Sequence, residues 1–133
     1  AREALVDEVG DAMRGRAQEI ADAVGSAVKV VPWEQREDAL DGVAMVANAT
    51  SAGSAGKPAL DISLDRLPAH AIAGDLIYVP PETPFLAAAR ARGNVTVNGL
   101  GLLLNQARPA FNAWFGVMPE ITPALLKDIA ATF

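Results

Sequence analysis

The fold is decided by NGLGLLLNQARPAFNAWFG, residues 98–116. A short apolar run, residues 94–97, leads into the turn dipeptide Asn98-Gly99, and the pattern then changes to a helical one. Leu100, Leu103, Leu104, Ala107, Phe111, Trp114 and Phe115 recur at spacings of three and four, which gathers them on one helical face. Asn98 suits the N-cap, where its side-chain oxygen can accept from an orphan N–H of the first turn. Gly99 and Gly101 leave the backbone bare at the helix start, so a flat or charged group can approach it. Gln106 falls off the apolar face, a polar amide on a rigid support. Pro109 lies inside the pattern and is expected to kink the helix. A strand–turn–helix junction also serves as plain punctuation, so this stretch alone does not define a site.

Outward from this helix, strand and helix alternate. Upstream, Thr83-Pro84 is a hydroxyl cap followed by proline at the first helical position, and starts a helix over residues 84–92 that Gly93 ends. Apolar strands are expected at 28–31, 43–47, 71–79 and 95–97, with 43–47 apolar enough to be buried on both faces. A short polar helix is expected at 34–40 and a helical turn at 62–67. Residues 1–13 and 17–24 read as two helices parted by the basic break Arg14-Gly15-Arg16, the second turning Ala17, Ile20, Ala21 and Val24 inward. Downstream, Thr122 caps a last helix over 123–131. Connections of this length between strands imply crossovers, hence an α/β fold with a parallel sheet and helices on both faces. Ligands of such sheets collect beyond the carboxyl ends of the strands. Polar or glycine clusters fall there three times, at 48–51, 78–81 and 98–101.

Composition narrows the function. The 133 residues suffice for one domain, and half of them are apolar. Net charge is −5; residues 1–42 hold ten acidic and five basic side chains and the remainder six of each, so the acidity is local. No basic stripe suggests nucleic acid as a partner. There is no cysteine for a disulfide, a thiolate nucleophile or a cysteine zinc site, and the single histidine, His70, cannot build a metal site alone. No apolar run approaches the ~20 residues of a membrane span, and the first ten residues lack a signal core. A soluble cytoplasmic protein without membrane or metal is expected.

Taken together, NATSAG (48–53), DLIYVPPETPFLAAARARG (75–93) and NGLGLLLNQARPAFNAWFGVMP (98–119), with VVPWE and ALDGV upstream, resemble the C-terminal half of shikimate dehydrogenase. The resemblance covers residues 14–133. It implies a Rossmann-like domain that binds NADP, paired in the family with an N-terminal substrate domain whose lysine and aspartate handle the proton. The implied reaction is NADPH-dependent reduction of 3-dehydroshikimate to shikimate, in aromatic amino acid biosynthesis. Carried onto this chain, the motif tyrosine is Tyr78 and the helix glutamine is Gln106, both on the substrate. Leu76 would pack on the nicotinamide end, with Gly99 giving backbone access. Thr50 and Ser51 would line the cofactor cleft, and Arg16 would pair with the 2′-phosphate of NADP by charge and bidentate fit. Helices in 99–133 would pack against the substrate domain. A homodimer is left open.

The chain departs from the family pattern at its start. The glycine-rich phosphate loop, the strand before it, the second strand with its N-R-T signature and the whole substrate domain are missing by this reading. The domain is therefore expected to be incomplete at its N-terminal end. Either segments that are not neighbours meet near residue 14, or the chain is a natural fragment that has lost activity. A non-catalytic α/β binding or interaction module is the alternative function. Taken singly the residues are ordinary: Tyr78 a half-buried tyrosine, Gln106 a polar helix position, Asp75 a brace at a strand end, His70 a surface histidine, Trp33 and Trp114 packing anchors. Gly53–Lys57 is not a phosphate loop, since Pro58 follows Lys57 where serine or threonine is required.

Overall fold

The computed structural model describes residues 3–7 and 10–132. The elements run β1 (Glu3–Asp7), α1 (Gly10–Val24), β2 (Val28–Pro32), β3 (Met45–Asn48), β4 (Ile72–Asp75), α2 (Pro84–Ala91), β5 (Val95–Val97), α3 (Gly99–Phe115) and α4 (Pro123–Ala130). They form two compact units, residues 1–44 with 62–71, and residues 45–61 with 72–133. Every strand pairing is parallel, as the alternation requires.

In the first unit β1 pairs with β2, Glu3 opposite Val28 through Asp7 opposite Pro32, and α1 packs on both strands. This corrects the reading of the chain's start. Residues 3–7 are a strand and not part of a helix. A single helix then runs from Gly10 through Arg14-Gly15-Arg16 to Val24, where two were expected. Residues 1, 2, 8 and 9 of the expected first helix lie outside the described residues. The run Ala4-Leu5-Val6 is too short for its period to decide, and the non-local pairing with β2 decides it. The peptide is continuous helix across residue 14, and a strand precedes this helix where none was expected. Of the face expected inward, Ala21 is buried, but Ile20 is 52% and Val24 59% exposed.

After β2, two 3-10 turns, Trp33–Gln35 and Asp38–Leu40, replace the expected helix over 34–40. Arg36 stacks over the Trp33 ring at 4.6 Å and donates to the Trp33 carbonyl. Residues 62–67 hold a turn closed by Leu67 N–H on the Leu64 carbonyl, not a helix, and both leucines are buried. Arg66 ties this turn to the 3-10 segment. It donates to both carboxylate oxygens of Asp41 and to Asp38. The Arg66 hydrogen bond holds the Asp41 carboxyl below its ordinary value of 3.8. A folded-state value below the unfolded one stabilises the fold above pH about 3.8, and that increment is lost as pH falls through the depressed value. Because the pair is exposed, replacing Arg66 with methionine is expected to lower the unfolding temperature only slightly at neutral pH. The difference from wild type should vanish in acid, which a melting series against pH reads directly.

In the second unit the order is β3-β4-β5, with Met45, Ile72 and Val95 in one cross-strand row and Ala47, Gly74 and Val97 in another. Thr83 caps α2 by accepting from Leu86 N–H at 3.3 Å, with Pro84 in the first turn as the sequence indicates. Helix α2 lies on β4 and β5 and buries Phe85, Leu86 and Ala89 beside Ala73. The other face of this sheet is open: Met45 is 55%, Val95 62% and Val97 51% exposed. β3 is therefore not buried on both faces, and its apolar run alternates exposed and covered residues. Helix α3 continues through Pro109 to Phe115 and ends at Gly116, whose φ of 70° closes it in the left-handed conformation. Phe111 stacks on Phe115 with ring centroids 4.6 Å apart, yet the face stays exposed. Trp114 is 77% exposed, so it is no packing anchor within this chain. Among the described residues no helix is long and apolar enough to cross a membrane.

Candidate functional site

The register sets Asn48 opposite Asp75 and Gly74 opposite Val97, so β3, β4 and β5 end together and deliver their following residues to one edge of the sheet. Each of the three turns off with the same local device, a short polar side chain accepting from the backbone two residues on. Asn48 Oδ1 accepts from Thr50 N–H at 3.0 Å, Asp75 Oδ1 from Ile77 N–H at 3.0 Å, and Asn98 Oδ1 from Leu100 N–H at 3.2 Å. Three strand tips become three ordered turns.

The tips are stitched to one another. Leu76 N–H donates to the Asn48 carbonyl at 3.0 Å, which carries the β3–β4 ladder one step past the strands. Gly99 N–H donates to the Ile77 carbonyl at 3.0 Å, and the Asn98 amide to the Pro81 carbonyl at 3.1 Å, which fixes the start of α3 on the segment after β4. Ala55 N–H donates to the Val79 carbonyl at 3.3 Å, which fixes the loop after β3 on the same segment. Between that loop and that segment lies an open groove of about 330 Å³, lined by Ser51, Ser54, Leu76, Ile77, Tyr78 and Val79. Leu76 is 44% exposed and Tyr78 is half-buried there.

The groove unites three of the residues singled out in the sequence, Ser51, Leu76 and Tyr78. The others fall elsewhere. The Thr50 hydroxyl is turned into its own loop, donating to Asn48 Oδ1 at 2.8 Å and accepting from Ala52 N–H at 3.0 Å, so it shapes the loop and does not line the groove. Gly99 is buried, and its missing side chain faces the Leu76 carbonyl, so it does not offer an open backbone to a ligand. Gln106 is exposed on α3 and is not among the groove residues. Arg16 lies inside α1 and not before it, exposed, in the other unit. Sequence reasoning did not single out Ser54 or Ile77, and reached Val79 only as part of the 78–81 cluster. Ser54 is brought to the strand tip only by the fold of the loop after β3.

A second shallow groove, lined by Pro81, Leu86, Arg90, Thr96, Asn98 and Gly101 among others, opens at the start of α3. Its Arg90 is engaged by Glu82 at 3.0 Å and by the Thr96 hydroxyl at 3.2 Å. Among the described residues no group of acidic, histidine or cysteine side chains could hold a metal ion.

No family model matches the chain. It is 49% identical to the shikimate dehydrogenase (NADP(+)) of Nitrobacter hamburgensis over 116 residues, 87% of this chain and 41% of that protein. Among solved structures, the quinate dehydrogenase of Corynebacterium glutamicum in complex with NAD matches 99% of this chain and 45% of its own, with a TM-score of 0.79 at 29% identity. The shikimate 5-dehydrogenase of Thermus thermophilus, in complex with NADP(H) and shikimate, matches 90% of this chain and 42% of its own, with a TM-score of 0.71 at 29% identity. The chain spans about two fifths of the length of the curated relatives it matches.

Proposed function

We propose, from the premise that the chain belongs to the shikimate dehydrogenase family, that it is the nucleotide-binding part of an NADP-dependent oxidoreductase interconverting shikimate and 3-dehydroshikimate. The observation that carries this reading is the groove at the strand tips, where a half-exposed leucine, a tyrosine and serines meet. An apolar side chain beside a polar rim suits a flat nicotinamide ring set against a polyhydroxy acid. When bound, the cofactor supplies the hydride chemistry.

The chain's own residues divide the remaining work. Leu76 packs on the nicotinamide end and excludes water there. Ser51 lines the cleft from a loop that Thr50 holds in shape. Tyr78 and Gln106 orient the substrate by hydrogen bonds without adding charge. Gly99 serves by letting α3 start against the Leu76 carbonyl, which fixes Leu76 in place. The proton-transferring lysine and aspartate belong to a substrate domain, and the exposed apolar side of α3 and the residues after it, with Phe111, Trp114, Phe115, Val117 and Met118, is the surface that domain covers. The pyrophosphate is the part of the cofactor that the described residues do not fit, since among them no strand is followed by the family's glycine-rich phosphate loop. The biosynthetic reaction places the protein in the cytoplasm.

The test is an assay of the intact protein with shikimate and quinate, each with NADP+ and NAD+. Shikimate with NADP+ is expected to give the highest kcat/KM; no turnover and no NADP+ binding would leave the non-catalytic module instead. Replacing Gln106 with alanine is expected to raise the shikimate KM about tenfold, the loss of one hydrogen bond, with NADP+ affinity unchanged. An unaltered KM removes Gln106 from the site.

A further inference from the structure

Asp75 is a buried, fully engaged side chain at the strand tips, and the proposed chemistry does not use it. It is 3% exposed. Its two oxygens accept from three parts of the chain: Oδ1 from the Asn48 amide at 3.2 Å and from Ile77 N–H at 3.0 Å, Oδ2 from the Thr83 hydroxyl at 2.6 Å. Both oxygens are engaged and sealed from solvent, so the carboxyl group does not reach a substrate.

The direction of every bond around it is fixed. The Asn48 amide spends its two hydrogens on Asp75 and on the Ala52 carbonyl at 3.0 Å. Thr83 has one hydroxyl hydrogen and gives it to Asp75, which leaves its oxygen to accept from Leu86 N–H. Three donors therefore converge on a group that only accepts. An amide in its place would set a donor against at least one of them and strand a buried hydrogen.

We propose that Asp75 is the positioning residue of this site: by holding the loop after β3, the Leu76–Tyr78 segment and the start of α2 together, it fixes where Tyr78 presents its phenol to the substrate. This rests on the dehydrogenase reading for its substrate, not for its mechanics. Tyr78 follows Ile77 directly, and Ile77 N–H is bound to the carboxylate, while Thr83 anchors the far side of the same excursion. A plain strand brace would stabilise the fold and leave substrate recognition alone; a positioning residue changes recognition.

The experiment compares Thr83→Val, Thr83→Ser and Asp75→Asn in the intact protein. Thr83→Val keeps the volume and removes the bond to Asp75; Thr83→Ser keeps the bond; Asp75→Asn strikes the same contact from the other side, so the test stands if either disruptive variant folds. Thr83→Val and Asp75→Asn are expected to raise the shikimate KM about tenfold or more, the equivalent of one buried hydrogen bond, with NADP+ affinity little changed and Thr83→Ser close to wild type. Amide exchange of a peptide spanning residues 76–79 should quicken by a similar factor in both disruptive variants, while one spanning 123–130 does not. A lower melting temperature with unchanged KM and unchanged exchange at 76–79 overturns the proposal. If wild type itself does not use shikimate, the dehydrogenase reading fails on its own, and the exchange arm still decides: unchanged protection of 76–79 overturns the positioning role, faster exchange upholds it.

Discussion

Replacing Gly99 with alanine is expected to unfold the protein at markedly lower denaturant and to abolish use of substrate. A Cβ at this position would stand 2.0 Å from the Leu76 carbonyl oxygen and 2.4 Å from its carbon. Both atoms are backbone, so no rotamer change relieves the collision. Neither side is free to retreat. The segment after β4 is held by Leu76 N–H on the Asn48 carbonyl and by Ile77 N–H on Asp75. The start of α3 is held by Gly99 N–H on the Ile77 carbonyl and by the Asn98 amide on the Pro81 carbonyl. One set must break, and the loss should reach or exceed the ~1–3 kcal/mol usual for one extra methyl in a packed interior. Any movement displaces Leu76 and Tyr78 together, so kcat/KM falls with stability. Gly101, two residues on, is the control: nothing lies within 4 Å of its Cβ position. Alanine there should be neutral or stabilising by about 0.5–1 kcal/mol, the usual helix preference over glycine. Denaturation midpoints of the two variants check both statements, and a Gly99→Ala protein as stable as wild type would show that the contact is not as tight as described.

Gly99 also shows what the sequence revealed and what it hid. A bare glycine at a helix start reads as room for a ligand, and the sequence holds no sign that the room is filled by a carbonyl from 23 residues upstream. Local signals were read correctly where local chemistry decides: the Asn98, Thr83 and Thr122 caps and the strand over 95–97. The parallel pairing followed from the alternation of elements. The chain's start was misread because Glu3–Asp7 becomes a strand only by pairing with Val28–Pro32, and because Gly15, taken as part of a break, sits inside one helix at a tolerable cost of about 1 kcal/mol. Tyr78, Leu76 and Ser51, read from ordered motifs, do lie together along one groove. The web joining Asn48, Asp75 and Thr83 was not, since it depends on register between strands far apart in sequence.

Tyr78→Phe should produce the second large effect, and of the opposite kind. The ring stays, so its half-buried packing beside Ile77 and Val79 is kept. What is lost is the phenolic hydroxyl. A site built to hydrogen-bond a hydroxyl-bearing substrate leaves that partner unsatisfied when its own hydroxyl is removed, which costs the substrate tenfold or more in binding, about 1.4 kcal/mol and upward. Leu76 and Ser51 are untouched, so NADP+ should bind as before.

Calorimetric titration of shikimate into the intact protein, wild type against Tyr78→Phe and each loaded with NADP+, tests most directly whether the groove at the tips of β3 and β4 is where substrate is held. Wild type should bind shikimate, and the variant should bind it at least about tenfold more weakly. Equal affinity in the two proteins would contradict the assignment of that groove to the substrate.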